Sequence, residues 1–240
     1  MKKFVATSLC ILGIFGCSKH DPILPGTRHD IFGTDVVHIL NQDVPNLPDN
    51  VEMIRDACPY TLDTSNVLRD GETKIFSGFA TDNFVDGTRH PTCDKKFVYA
   101  GLTTGELVKV NPATRALVWT SDIYRPSNMT GGASLVDIVV APYVVNNDVY
   151  VGGLGDAFCR VNATTGTKRW CANIGVANDF IYTTGAIFVV STDGNLYAIR
   201  TSDGAAYWAT PVKRIKTPRY QDKKIYVDKQ TFDATNGHAL

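Results

Sequence analysis

Apolar and polar positions along this chain form short strand-like runs broken by turns rich in Gly, Asn and Asp. Val149-Tyr-Val-Gly-Gly153 is β-branched and aromatic, the composition of a strand. Gly155-Asp156 follows as a tight turn. Ala157-Phe-Cys-Arg-Val161 then alternates with a period of two, as a half-buried strand does. Asn162-Ala-Thr-Thr-Gly166 is the next turn, its Gly free to adopt positive φ. Thr167–Ile174 is a third strand and Val136–Val145, upstream, a fourth. Thr192-Asp-Gly-Asn195 repeats the hairpin signal between two apolar runs. Helical periodicity is nearly absent, so the predicted class is all-β.

The same unit recurs, and each full copy ends in tryptophan. Val-Asn-Pro-Ala-Thr-Arg-Ala-Leu-Val-Trp119, Val-Asn-Ala-Thr-Thr-Gly-Thr-Lys-Arg-Trp170 and Ile-Arg-Thr-Ser-Asp-Gly-Ala-Ala-Tyr-Trp208 align without gaps. The spacings are 51 and 38 residues. A fourth copy starts at Ile225–Val227 and runs to Gly237. Four antiparallel strands at such a period describe the blade of a β-propeller. The indoles of Trp119, Trp170 and Trp208 are expected on the outermost strand, against the next blade. Each would remove about 150–250 Å² from water, at most about 4–6 kcal/mol per junction.

Composition narrows the picture. The 240 residues suffice for one sizeable domain, and 24 basic against 24 acidic residues give no net charge. Without a basic stripe, nucleic acid is excluded as a partner. Lys2-Lys3 and the apolar Phe4–Gly16 form a targeting signal too short to span a bilayer. Gly16-Cys17-Ser18 resembles a bacterial lipobox, with bulky Phe15 departing from it. Cys17 is the candidate lipid-attachment site, and Ser18 resembles the outer-membrane sorting pattern. The alternative is an ordinary signal peptide with an incidental Cys. Cys58, Cys93, Cys159 and Cys171 remain, and in an oxidising compartment they allow three pairings. Cys159 and Cys171 lie on adjacent strands of one hairpin and face each other in one register but not in the next. Cys58–Cys93 is the complementary pair. The five His are scattered singly and suggest no zinc site.

These readings divide the chain into a signal peptide (1–16), a lipidated extended tether (17–50) carrying Pro22, Pro25, Pro45 and Pro48, and a propeller domain (51–240) with an incomplete last blade. Blades are expected near 73–120, 135–174, 176–212 and 215–240. About four blades make either a small ring or an arc of a larger one. Val51–Arg55 is a candidate for the missing outer strand of the last blade.

The repeats resemble those named after the quinone PQQ. With the lipobox and the linker Pro22-Ile-Leu-Pro-Gly-Thr-Arg28, the chain resembles the BamB family of outer-membrane β-barrel assembly lipoproteins. Ser134–Val145, Gly166–Trp170, Gly175–Phe180 and Asp193–Ile199 are similar to central blades of that family. The resemblance implies a non-catalytic scaffold, without cofactor, on the periplasmic face of the outer membrane. Its partners would be the barrel-forming subunit and, through acylated Cys17, outer-membrane lipid. It implies docking through inter-blade loops, here with Leu135, Asp137 and Arg125. Of two acidic family positions, Asp137 retains the first and Val139 replaces the second.

The enzymatic rival is a PQQ-dependent dehydrogenase fragment, which needs oxygen ligands for calcium and often adjacent cysteines over the quinone. The chain has no Cys-Cys pair and no GxSxG, HExxH or GxxxxGK[ST] motif. Gly131-Gly132 and Gly152-Gly153 read as strand-end glycines. A third reading is a propeller lipoprotein that accepts client peptides by strand addition.

Overall fold

A computed structural model describes residues 37–55, 58–85, 90–124 and 135–240. Among them every sheet is a sequential antiparallel meander. The first comprises β1 (Thr61–Leu62), β2 (Val67–Asp70) and β3 (Thr73–Ser77). The second comprises β4 (Thr92–Asp94), β5 (Phe97–Gly101), β6 (Glu106–Asn111) and β7 (Ala116–Asp122). The third comprises β8 (Tyr143–Val145), β9 (Asp148–Gly153), β10 (Ala157–Asn162) and β11 (Lys168–Ala172). The fourth comprises β12 (Ile181–Tyr182), β13 (Ala186–Val190), β14 (Asn195–Arg200) and β15 (Ala206–Pro211). The last comprises β16 (Arg219–Gln221), β17 (Lys224–Val227) and β18 (Gln230–Asp233). The all-β propeller class is therefore observed.

Successive sheets stack because a strand sends alternate side chains to opposite faces. On β13, Ala186, Phe188 and Val190 enter the core shared with the last sheet, while Ile187 and Val189 enter the core shared with the third. On β5, Val98 and Ala100 face the first sheet and Tyr99 faces the third. Inner strands are thus buried on both sides, which explains their unbroken apolar runs.

The tryptophans close these junctions by one repeated geometry. Trp119 Nε1 donates to the Ala163 carbonyl at 3.2 Å, Trp170 to Thr201 at 3.0 Å and Trp208 to Thr235 at 3.0 Å. Each acceptor lies in the outer turn of the next sheet. Each indole lies over a glycine of that turn, Gly166, Gly204 or Gly237. A β-bulge beside each Trp, opposite Lys109, Arg160 and Ala198, re-aims the strand at that point.

Four expectations are corrected. The predicted first blade, 73–120, is two units: β3 belongs to the first sheet, and β4–β7 form a complete blade of their own. The first sheet carries no tryptophan, so the repeat count overlooks it. Val136–Val145 is a strand only at β8; residues 136–142 form an inter-blade connection. Residues 37–50 are no tether. Ile39 pairs in parallel with Ala206, Leu40 N–H donates to Ala206, Val44 N–H donates to Thr235, and Val44 and Leu47 are buried. This strap shields the edge of β15 and the β16–β17 turn, where Lys223 N–H donates to Asp49. Val51–Arg55 does not complete the last blade. Met53 Sδ accepts from Tyr182 N–H and Arg55 pairs with Asp179, while the edge of β18 is met by Ala239 opposite Phe232.

The register sets Cys159 opposite Cys171, with Cα atoms 4.1 Å apart and a disulfide between them. Cys58 and Cys93 form the second, with Cα atoms 5.1 Å apart.

Candidate functional site

The connection 135–142 threads between the second and third sheets. Ile138 N–H donates to Leu102, and the Asp137 carbonyl accepts from Leu154 N–H. Glycines make this passage possible. A Cβ at Gly101 would meet Ile138 Cγ2 at 2.1 Å, and one at Gly153 would meet the Asp137 carbonyl oxygen at 2.6 Å. Of Gly152-Gly153, read from sequence as strand-end glycines, Gly153 clears a path for this crossing, and Gly152 makes room for Phe158 and for Val176 of the next connection.

This crossing separates the predicted contact residues. Leu135 is 43% exposed and points an apolar side chain to solvent. Asp137 is 0% exposed, and its Oδ2 accepts from Val85 N–H at 2.6 Å. The expectation of Asp137 as a docking charge is thus corrected. A carboxylate engaged by a backbone amide and removed from water organises the crossing, and Asp137 contributes no surface charge. Arg125 and Cys17 lie outside the described residues.

Beyond Asp137, the crossing opens onto a cleft of about 450 Å³ shared by three inter-blade connections. Val139, Val140 and Ala141 line it from the first, Ala177, Asn178 and Asp179 from the second, and Thr217 from the third. Arg55 and His90 complete it. Arg55 donates to both oxygens of Asp179 at 2.8 and 2.9 Å, a bidentate pair of strong geometry. Its guanidinium also lies 5.6 Å from the Tyr143 ring centre. Burial pushes the Tyr143 phenol above its ordinary pKa, Tyr182 adds to this, and Arg55 opposes it. Arg55 and Asp179 stand 124 residues apart and carry no motif, so neither is visible to sequence reasoning as a pair. The lining is apolar backbone-rich loop with one cation–carboxylate pair. Among the described residues no group of three His, Cys, Asp or Glu side chains converges on a point.

The sequence profile of the family described as "Outer membrane protein assembly factor BamB" matches residues 77–210, more than half of the chain. This chain belongs to the BamB family. The match contains the whole crossing 135–142 and the loop 173–180. The BamB of Kangiella koreensis is 22% identical over 122 residues, covering 51% of this chain and 31% of that protein. The BamB of Yersinia pestis is 28% identical over 93 residues, covering 39% and 24%. This chain therefore spans about a third or less of the curated relatives it matches. The crystal structure of BamB from Moraxella catarrhalis superposes with a TM-score of 0.53 at 17% identity, over 85% of this chain and 64% of that one. That likeness speaks to the shared propeller fold.

Proposed function

We propose that this chain acts in outer-membrane protein assembly as a non-catalytic periplasmic scaffold, docking a barrel-forming subunit through its inter-blade connections. The reading also has it held at the membrane by acyl chains on Cys17, each buried CH₂ adding about 0.8 kcal/mol. The observation that carries it is the family match across 77–210, which contains the exposed Leu135 and two of the three loops that line the cleft around Val139 and Asp179.

The test uses surface positions. Substituting Asp137 removes a buried partner of Val85, and lost binding would then report lost folding. Leu135→Arg and Ala177→Lys, both at exposed positions, change the face instead. In a detergent pull-down with the barrel-forming subunit, both variants are expected to lose co-purification while keeping the parental melting temperature. Undiminished co-purification of both variants would move docking away from this face. Absence of co-purification by the parent chain would end the scaffold reading. Retention of quinone and calcium through purification would point instead to the dehydrogenase fragment.

A further inference from the structure

The junction between the first and second sheets departs from the other three. In the second, third and fourth sheets the indole stands opposite the fourth residue after a positive-φ turn residue. Gly105, Asp156 and Gly194 are those turn residues, at φ +78°, +52° and +84°. Lys109, Arg160 and Ala198 are the positions opposite Trp119, Trp170 and Trp208. The first sheet has the same turn residue in Asn66, φ +62°, and its fourth follower is Asp70. Asp70 pairs with Thr73. The β2–β3 hairpin therefore turns back at Gly71-Glu72, and Thr73 stands where an indole stands elsewhere.

The receiving side is nevertheless built in part. The outer turn of the second sheet, Asn111-Pro-Ala-Thr-Arg115, aligns with Asn162-Ala-Thr-Thr-Gly166, whose second residue supplies the carbonyl that Trp119 uses. Pro112 occupies that place. Arg115, at φ +55°, replaces the glycine that the other turns keep beneath their indole. Between this turn and the first sheet lies a cleft of about 690 Å³, within the range of real ligand sites. Tyr60, Ile75, Val98 and Pro112 give it apolar walls. Lys95 and Lys96, both exposed, form its lip against the single carboxylate of the lining, Asp70.

We propose that this open slot at the first junction receives an aromatic side chain, an indole above all, presented by an acidic segment of a partner protein. The three sibling slots define the chemistry, a ring held between two sheets with its N–H on a turn carbonyl, and here the ring stands clear of Arg115, whose Cβ fills the place that glycine leaves open beneath the other indoles. The excess of lysine at the lip selects carboxylates beside that ring. This site lies apart from the cleft around Asp179 and adds a second point of attachment.

The test is a titration of the full chain with the peptide Gly-Glu-Trp-Glu-Gly, followed by methyl NMR at Ile75 and Val98. Saturable shifts at both methyls are expected, and the Trp→Ala peptide should give none. Lys95→Glu with Lys96→Glu, on an exposed turn, should weaken binding by about tenfold or more. Thr73→Trp with Arg115→Gly supplies an internal indole, and should raise the melting temperature and abolish peptide binding. Equal shifts with the alanine peptide, or binding untouched by both double variants, would overturn the proposal. If Thr73→Trp fails to fold, the lysine reversal alone decides.

Discussion

Gly166, Gly204 and Gly237 show how one residue type serves two demands. Their φ values are +75°, +80° and +76°, and a Cβ would come within 2.7, 2.6 and 2.5 Å of the overlying indole. Turn propensity alone needs only the first demand, and Arg115 meets it at φ +55° where no tryptophan of the preceding sheet intrudes. Gly204→Ala is therefore expected to cost about 1–3 kcal/mol, because it combines backbone strain with a forced shift of Trp170. Arg115→Gly should change stability by less than about 1 kcal/mol. Urea unfolding of the two variants checks the contrast. Sequence shows these glycines as turn formers; it does not show the ring above them, because the ring arrives from another blade. Buried tyrosines give a second expectation. Burial pushes Tyr99 up to about 12, with Asp94 adding, and pushes Tyr197 up to about 12, with its bond to Asp193 adding. In the unfolded chain these phenols ionise near their ordinary value of about 10. Above that pH the unfolded state sheds protons that the folded state keeps, so stability is whole below about pH 10 and falls toward 12. Melting temperature against pH, with phenolate absorbance recorded alongside, should show unfolding and ionisation arriving together.

The hairpin β10–β11 is held by ladder hydrogen bonds, by Trp170 against Tyr150 and Phe158, and by a disulfide. The disulfide spans a sequence separation of 12. A loop of that size, closed in the unfolded chain, is worth about 2–3 kcal/mol. Replacing both Cys159 and Cys171 with Ala should lower unfolding free energy by about that amount, and reductant should have the same effect on the parent. The hairpin itself is legible from its two strand runs and the turn Asn162–Gly166. Its register is not, because a slip of one residue preserves every local propensity while it moves every side chain of β11, Cys171 and Trp170 among them, to the opposite face. The first sheet is less legible still. Its β2–β3 hairpin turns back at the level of the indole and places Thr73 there, so the strongest repeat marker is missing, and Leu62, Leu68 and Ile75, with partly buried Tyr60 and Phe76, build its core against Val98 and Val108.

Across the stack, four inter-sheet cores join five sheets in order, and the segment 37–55 ties the last three together. Its hold is distributed. His38 and Leu40 exchange hydrogen bonds with Ala206, Gln42 donates to Tyr207, and the Pro48 carbonyl accepts from Tyr220 Oη at 2.5 Å. Val44 and Leu47 enter the core of the fourth and last sheets, and Arg55 reaches Asp179. Prolines and isolated apolar residues in this stretch resemble a linker in composition, since a chain that follows a surface needs neither strand nor helix periodicity. Only long-range contacts distinguish it, and these are invisible locally. If the strap is structural, its removal from the surface must expose the edge of β15 and the Val44 site together. Val44→Asp would bury a carboxylate among Phe232, Ala234 and Trp208, or else lift the strap, and should cost more than about 2 kcal/mol. Thermolysin gives the independent readout. In the parent chain Leu40, Val44 and Leu47 should resist cleavage as long as the last sheet is folded, and in Val44→Asp Leu40 and Leu47 should become sites while the β13–β14 core stays intact. Cleavage of the folded parent at Val44 or Leu47 would return the segment to the status of a tether.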